Sequence, residues 1–142
     1  MKNREVKFRI FSRTFTEDKM FYDVGCEWEN DGLWWFCNNK TRLFQLGSTR
    51  FNLMQYTGIK DKNGKEIYEG DILQIPALHS DQPESNPYDI VQIIIRNGCT
   101  MWKDISTGKE ELIYLWLGDS DTDEDSTIIG NIYENPELIN SK

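Results

Sequence analysis

Histidine is nearly missing from this chain: 142 residues hold one, His79. A Ser-His-Asp or Cys-His centre would have to be built around that single imidazole. No G-x-S-x-G or comparable nucleophile context accompanies it, so His79 reads as a loop histidine. Cysteine is also scarce. Cys26, Cys37 and Cys99 are an odd number with no C-x-x-C pair. That argues against a disulfide framework and against a structural zinc site, and suits a reducing compartment. No apolar run approaches the roughly 20 residues of a membrane helix. The opening MKNREVKFRIF is basic but has no apolar core or small-residue cleavage site, so no secretion signal is expected. Four prolines and ten glycines are ordinary for a folded domain.

Nucleotide-binding signatures are absent too. The glycines are scattered among strand-like segments, and none forms G-x-x-x-x-G-K-[ST] or opens a helix after a strand. Asp119-Ser120-Asp121-Thr122-Asp123 begins like a calcium loop. The rest fails, with Glu124 where the loop needs Gly and Gly130 where it needs a bidentate Glu. It reads as a solvated acidic loop. No catalytic residue, cofactor or metal ligand is therefore assigned, and the expectation is a protein that is not an enzyme.

Aromatics and charge are present in quantity. Five Trp, six Tyr and seven Phe suit small β cores, since aromatics favour strands and bury large areas. The net charge is −8, unevenly spread. Residues 1–56 hold nine Lys/Arg and seven Asp/Glu, net +2, whereas residues 57–142 hold seven and seventeen, net −10. Such acidity disfavours non-specific binding to a phosphate backbone.

Period-two alternation dominates. Val6, Phe8 and Ile10 alternate with Lys7 and Arg9 as in a half-buried strand. Met20–Val24 looks like its returning partner. Glu27–Gly32 is polar and reads as a turn, and Leu33–Cys37 as a short buried strand. Asn63-Gly64 and Asn97-Gly98 predict type I′ hairpin turns, which need φ > 0 at both central residues. Thr107-Gly108 marks a third hairpin. Gly70 interrupts Ile67–Leu73 as a bend, with Asp71 placed to accept backbone N–H groups there. Residues 77–89 and 119–126 read as loops. The expected fold is mainly β: an N-terminal β-rich subdomain over residues 1–50, then a small antiparallel barrel over residues 51–142.

Three blocks carry a family resemblance. They are Lys7-Phe8-Arg9, the run Leu53–Ile72 (LMQYTGIKDKNGKEIYEGDI), and Ile129–Leu138 (IGNIYENPEL). Together they resemble the YopX family of bacteriophage and prophage proteins. The resemblance implies an SH3-like barrel in the C-terminal part, a phage or prophage origin and a bacterial cytoplasmic setting. It brings no activity, cofactor or catalytic residue. The shared blocks read as structural grammar: turn glycines and alternating core positions at Tyr56, Ile59, Ile67, Tyr68 and Ile72.

Two functions follow as expectations. One is an accessory protein that binds a host or phage protein. The alternative is a nucleic-acid-binding module in which Lys7, Arg9 and Arg13 hold phosphates while Trp34 and Trp35 stack bases. A charged outer strand that guards a sheet edge explains the same cations more simply. Exposed barrel edges and the aromatic surplus also suit a homo-oligomer; a membrane partner is not expected.

Overall fold

Alternation and turn chemistry translate into a mainly β chain of two antiparallel sheets, seen in a computed structural model. The structure describes residues 6–13, 18–38, 41–45, 51–77, 87–112 and 122–140. The chain divides into two units, Met1–Tyr56 and Thr57–Lys142.

In the first unit the strands are β1 (Phe8–Arg13), β2 (Asp18–Trp28), β3 (Trp34–Asn38), β4 (Thr41–Gln45) and the start of β5 (Phe51–Lys60). They pair in the order β4-β3-β2-β1-β5. Residues 51–55 of β5 lie beside β1, and the Tyr56 N–H continues that ladder to the Lys7 carbonyl at 2.8 Å. β2 carries one extra residue opposite β1. Phe8 pairs with Val24 but Ile10 with Phe21, and Asp23 sits in the left-handed region at φ 53°. A bulge of this kind breaks the period of two. It explains why Phe21 and Val24, three apart, both reach the apolar cluster of Ile10, Val24 and Phe36.

β2 is longer than its sequence suggests. Glu27 and Trp28 belong to the strand rather than to a turn, because they pair with Trp35 and Trp34 of β3. The chain reverses only at Glu29–Leu33, where the Glu29 N–H reaches the Leu33 carbonyl at 3.0 Å.

In the second unit β5 continues to Lys60 and forms a hairpin with β6 (Glu66–Tyr68). Then follow β7 (Asp71–Pro76), β8 (Tyr88–Arg96), β9 (Cys99–Asp104), β10 (Glu110–Leu112) and β11 (Thr127–Asn131), paired in the order β10-β9-β8-β7-β11. No ladder joins β10 to β11 among the described residues. A short helix, α1 (Glu137–Asn140), ends the described chain. Inward positions of the alternating strands gather as Ile59, Ile67, Leu73, Val91, Ile93 and Trp102. Tyr56, Tyr68 and Ile72 are buried as well.

The two Asn-Gly turns differ. Asn97 (φ 52°) and Gly98 (φ 77°) both take positive φ, as a type I′ turn requires. At the other, only Gly64 does, at φ 79°. The Gly64 N–H bonds the Asp61 carbonyl at 2.9 Å, and Asp61 N–H the Lys65 carbonyl at 2.8 Å. This is a type I turn closed by a left-handed glycine rather than the expected type I′. The reason is Asp61: its buried carboxylate accepts the Asn63 and Lys65 N–H groups at 2.9 and 3.0 Å and holds the wider loop.

The bend at Glu69-Gly70-Asp71 matches its reading. Gly70 has φ 87°, and the Asp71 carboxylate accepts the Tyr68 N–H at 2.8 Å. Gly70 also donates to the Ile93 carbonyl and accepts from the Ile132 N–H, both at 2.9 Å, so the bend is laced to β8 and to the end of β11. No described helix is long and apolar enough to cross a membrane.

Candidate functional site

The tip of the β2–β3 hairpin leaves three large apolar side chains close together in sequence in solvent. Trp28 and Trp34 are directly opposite, so they share one face of the sheet. Their rings meet edge to face, 5.5 Å apart at 66°. Trp28 is 60% exposed, Trp34 46% and Leu33, at the turn, 40%. The next pairs inward are Cys26–Phe36 and Val24–Asn38, and both Phe36 and Val24 belong to the core cluster. The tryptophans thus extend the apolar row of the sheet beyond its buried part.

The reverse face of the hairpin is polar and knitted together. Asp31 accepts the Leu33 N–H at 3.0 Å with one oxygen and the Trp35 indole N–H at 3.1 Å with the other. Arg42 of β4 reaches Asp31 at 3.0 Å and Glu29 at 3.1 Å, with its guanidinium 5.3 Å from the centre of the Trp35 ring. The hydrogen bond to Glu29, helped by the charge of Asp31, pushes the Arg42 pKa further up. Cys37 lies beneath, buried, and its thiol is pushed up first by burial and then by the charges of Glu27 and Glu29. One donor atom from each of Glu27, Glu29 and Cys37 falls within 4.8 Å of the others. This is a poor donor set for a cation. Arg42 already engages Glu29, and the thiol is held toward its protonated form.

The five residues expected to contact nucleic acid do not form one surface. Arg9 is 2% exposed. Lys7 is half-buried with its amine 5.0 Å over the Tyr56 ring, and Arg13, exposed, lies 5.9 Å from the Phe11 ring. Arg13 pairs with Asp18 at the start of β2, whereas Trp34 pairs with Trp28 at its end. At about 3.3 Å per residue those ends are about 30 Å apart. Of the two tryptophans, Trp35 is engaged by Asp31 and Arg42, and Trp34 is open. The sequence carries no strand signal at Trp28, because it lies in a polar stretch, Glu27–Gly32. The available signal was symmetry, since Trp28 and Trp34 flank Glu29–Leu33 at equal distance.

His79 and most of the 77–89 loop, and Asp119–Asp121 of the acidic loop, lie outside the described residues. The rest of the acidic loop is tied to the β5–β6 hairpin. The Asp123 N–H reaches the Lys60 carbonyl at 2.8 Å, and the Lys62 N–H the Ser126 carbonyl at 3.0 Å.

Comparison with known proteins follows the whole chain. None of the curated proteins compared matches it. Among solved structures, protein EF1440 from Enterococcus faecalis is 25% identical, with a TM-score of 0.55, covering 96% of this chain and 99% of its own. Protein yopX from Bacillus subtilis is 17% identical, with a TM-score of 0.57, covering 93% and 96% respectively, and shares the fold. A family model described as YopX protein matches residues 7–140.

Proposed function

The chain belongs to the YopX protein family, and from that premise we propose that it is a non-enzymatic accessory protein of a phage or prophage. It acts by binding another protein in the bacterial cytoplasm. The observation that carries this reading is the solvent-exposed Trp28–Trp34 pair with Leu33 at the hairpin tip. Large aromatics cost free energy in water, and Trp is enriched among the residues that dominate protein interfaces. The pair is also held in place: the cross-strand register, the Glu29–Leu33 backbone bond and the Asp31 and Arg42 contacts fix the hairpin behind it. A rigid aromatic anchor loses little conformational entropy on docking.

The test is affinity capture from phage-infected cells with the wild-type chain and the Trp28→Ala/Trp34→Ala double variant. A host or phage protein recovered in stoichiometric yield by the first and lost with the second is the expected result. Identical recovery by both would remove the hairpin tip as the binding surface.

A further inference from the structure

We propose that Asn97, at the tip of the β8–β9 hairpin, is a site of slow covalent self-modification: its side-chain amide leaves as ammonia and the residue becomes aspartate or isoaspartate. Glycine has no side chain to shield its backbone nitrogen, so an Asn or Asp followed by Gly is where this chemistry starts. The chain holds three such pairs, Asp31-Gly32, Asn63-Gly64 and Asn97-Gly98. All six residues are exposed, and a Cβ built on any of the three glycines would meet nothing within 4 Å. Openness therefore does not separate the pairs.

The hydrogen bonds of the attacking nitrogen do. The Gly32 N–H donates to the Glu29 carbonyl at 3.0 Å, and the Gly64 N–H to the Asp61 carbonyl at 2.9 Å. Asp31 is held as well, since its oxygens accept from the Leu33 N–H, the Trp35 indole and Arg42. At Asn97-Gly98 the type I′ turn is closed by the pairing of Arg96 with Cys99. The Gly98 N–H has no acceptor among the described residues, and the Asn97 side chain makes no hydrogen bond there either.

The reaction needs base and water and no other reagent. The Gly98 nitrogen, having given its proton to base, forms a bond to Cγ of Asn97. The bond from Cγ to the side-chain nitrogen breaks, and ammonia leaves with a proton from solvent. Water then opens the five-membered imide. Attack at Cγ yields aspartate, and attack at the main-chain carbonyl yields isoaspartate.

Isoaspartate carries the main chain through its own side-chain carbon and lengthens the backbone between Arg96 and Cys99. A two-residue turn sets the register of its strands by its length. The ladder behind this one places Ile93 opposite Trp102, both members of the buried cluster. Either product also adds a carboxylate to a segment already at net −10.

The experiment incubates the full chain in mildly alkaline buffer, folded and in concentrated urea, and maps its peptides for the gain of about 1 Da that marks amide loss. In the folded chain the Asn97 peptide is expected to convert about fivefold faster than the Asn63 peptide, the rate equivalent of one amide hydrogen bond of about 1 kcal/mol. In urea, where both turns are lost, the two are expected to convert at similar rates. The isoaspartate form is expected to melt about 3 °C lower than the fresh chain. Asn97→Gly keeps a residue suited to positive φ and is expected to show neither the mass gain at this peptide nor the fall in midpoint. Equal rates in the folded chain, or faster conversion at Asn63, overturn the proposal. So does a folded chain that stays unconverted at Asn97 while the urea sample reacts. An isoaspartate form with an unchanged midpoint upholds the site and overturns its effect on the β8–β9 register.

Discussion

Asp61 shows how much one side chain can organise. It is 1% exposed, and its carboxylate accepts N–H groups from Asn63 and Lys65 within the turn and from Ile128 of β11 at 3.1 Å. Asp61→Ala leaves those part-buried donors without their acceptor and is expected to lower unfolding stability by about 1–3 kcal/mol, since water can reach the donors of exposed Asn63 and Lys65. Urea denaturation checks it as a fall in midpoint at unchanged slope. Asp104 works in the same manner, accepting from Ser106 and Thr107. Burial alone would raise its pKa, but those hydrogen bonds outweigh burial and hold it below the ordinary 3.8. Part of the acidity that looked like surface charge is therefore internal, accepting backbone donors at turns. The Asp71 role was legible because its donor, Tyr68, is three residues away. The full role of Asp61 was not, because one of its donors lies 67 residues further along the chain.

At the scale of elements, identical dipeptides make different turns, and substitution separates them. Asn97 holds φ 52°, a region that costs a residue without a short polar side chain roughly 1–2 kcal/mol. Asn97→Ala is therefore expected to destabilise by about 1 kcal/mol. Asn63 is exposed and lies outside the positive-φ region, so Asn63→Ala is expected to stay within about 0.5 kcal/mol. Parallel denaturation of the two variants decides it, and equal losses would remove the distinction between the turns. Strand identities were largely readable because alternation and turn residues are local signals. The exposed end of β2 was not. Its residues are polar or isolated, and they become a strand only because Trp34 and Trp35 stand opposite.

At the scale of the whole molecule, charge and architecture coincide. The division at Tyr56/Thr57 separates a segment of net +2 from one of net −10. Self-repulsion within the acidic unit opposes compactness, and salt screens it. Sodium chloride raised from low to about 0.3 M is expected to lift the melting midpoint by about 1–3 °C. Scanning calorimetry would read this, and a midpoint that falls or stays constant would show that the carboxylates are already neutralised locally. The mainly β character followed from composition and period. The placement of the aromatic pair required the register of β2 on β3, which no single-residue property encodes.

One strand carries a practical consequence. β5 runs unbroken from Phe51 to Lys60, through the junction of the two units. Natural modules are commonly joined by pliable, protease-sensitive connectors, and those are the places where genes can be cut and respliced. Here the seam lies inside a hydrogen-bonded ladder. A scissor placed there would tear one strand into two stubs, leaving the first half beside β1 and the second beside β6. A cut at this seam is accordingly expected to cost each fragment part of a strand.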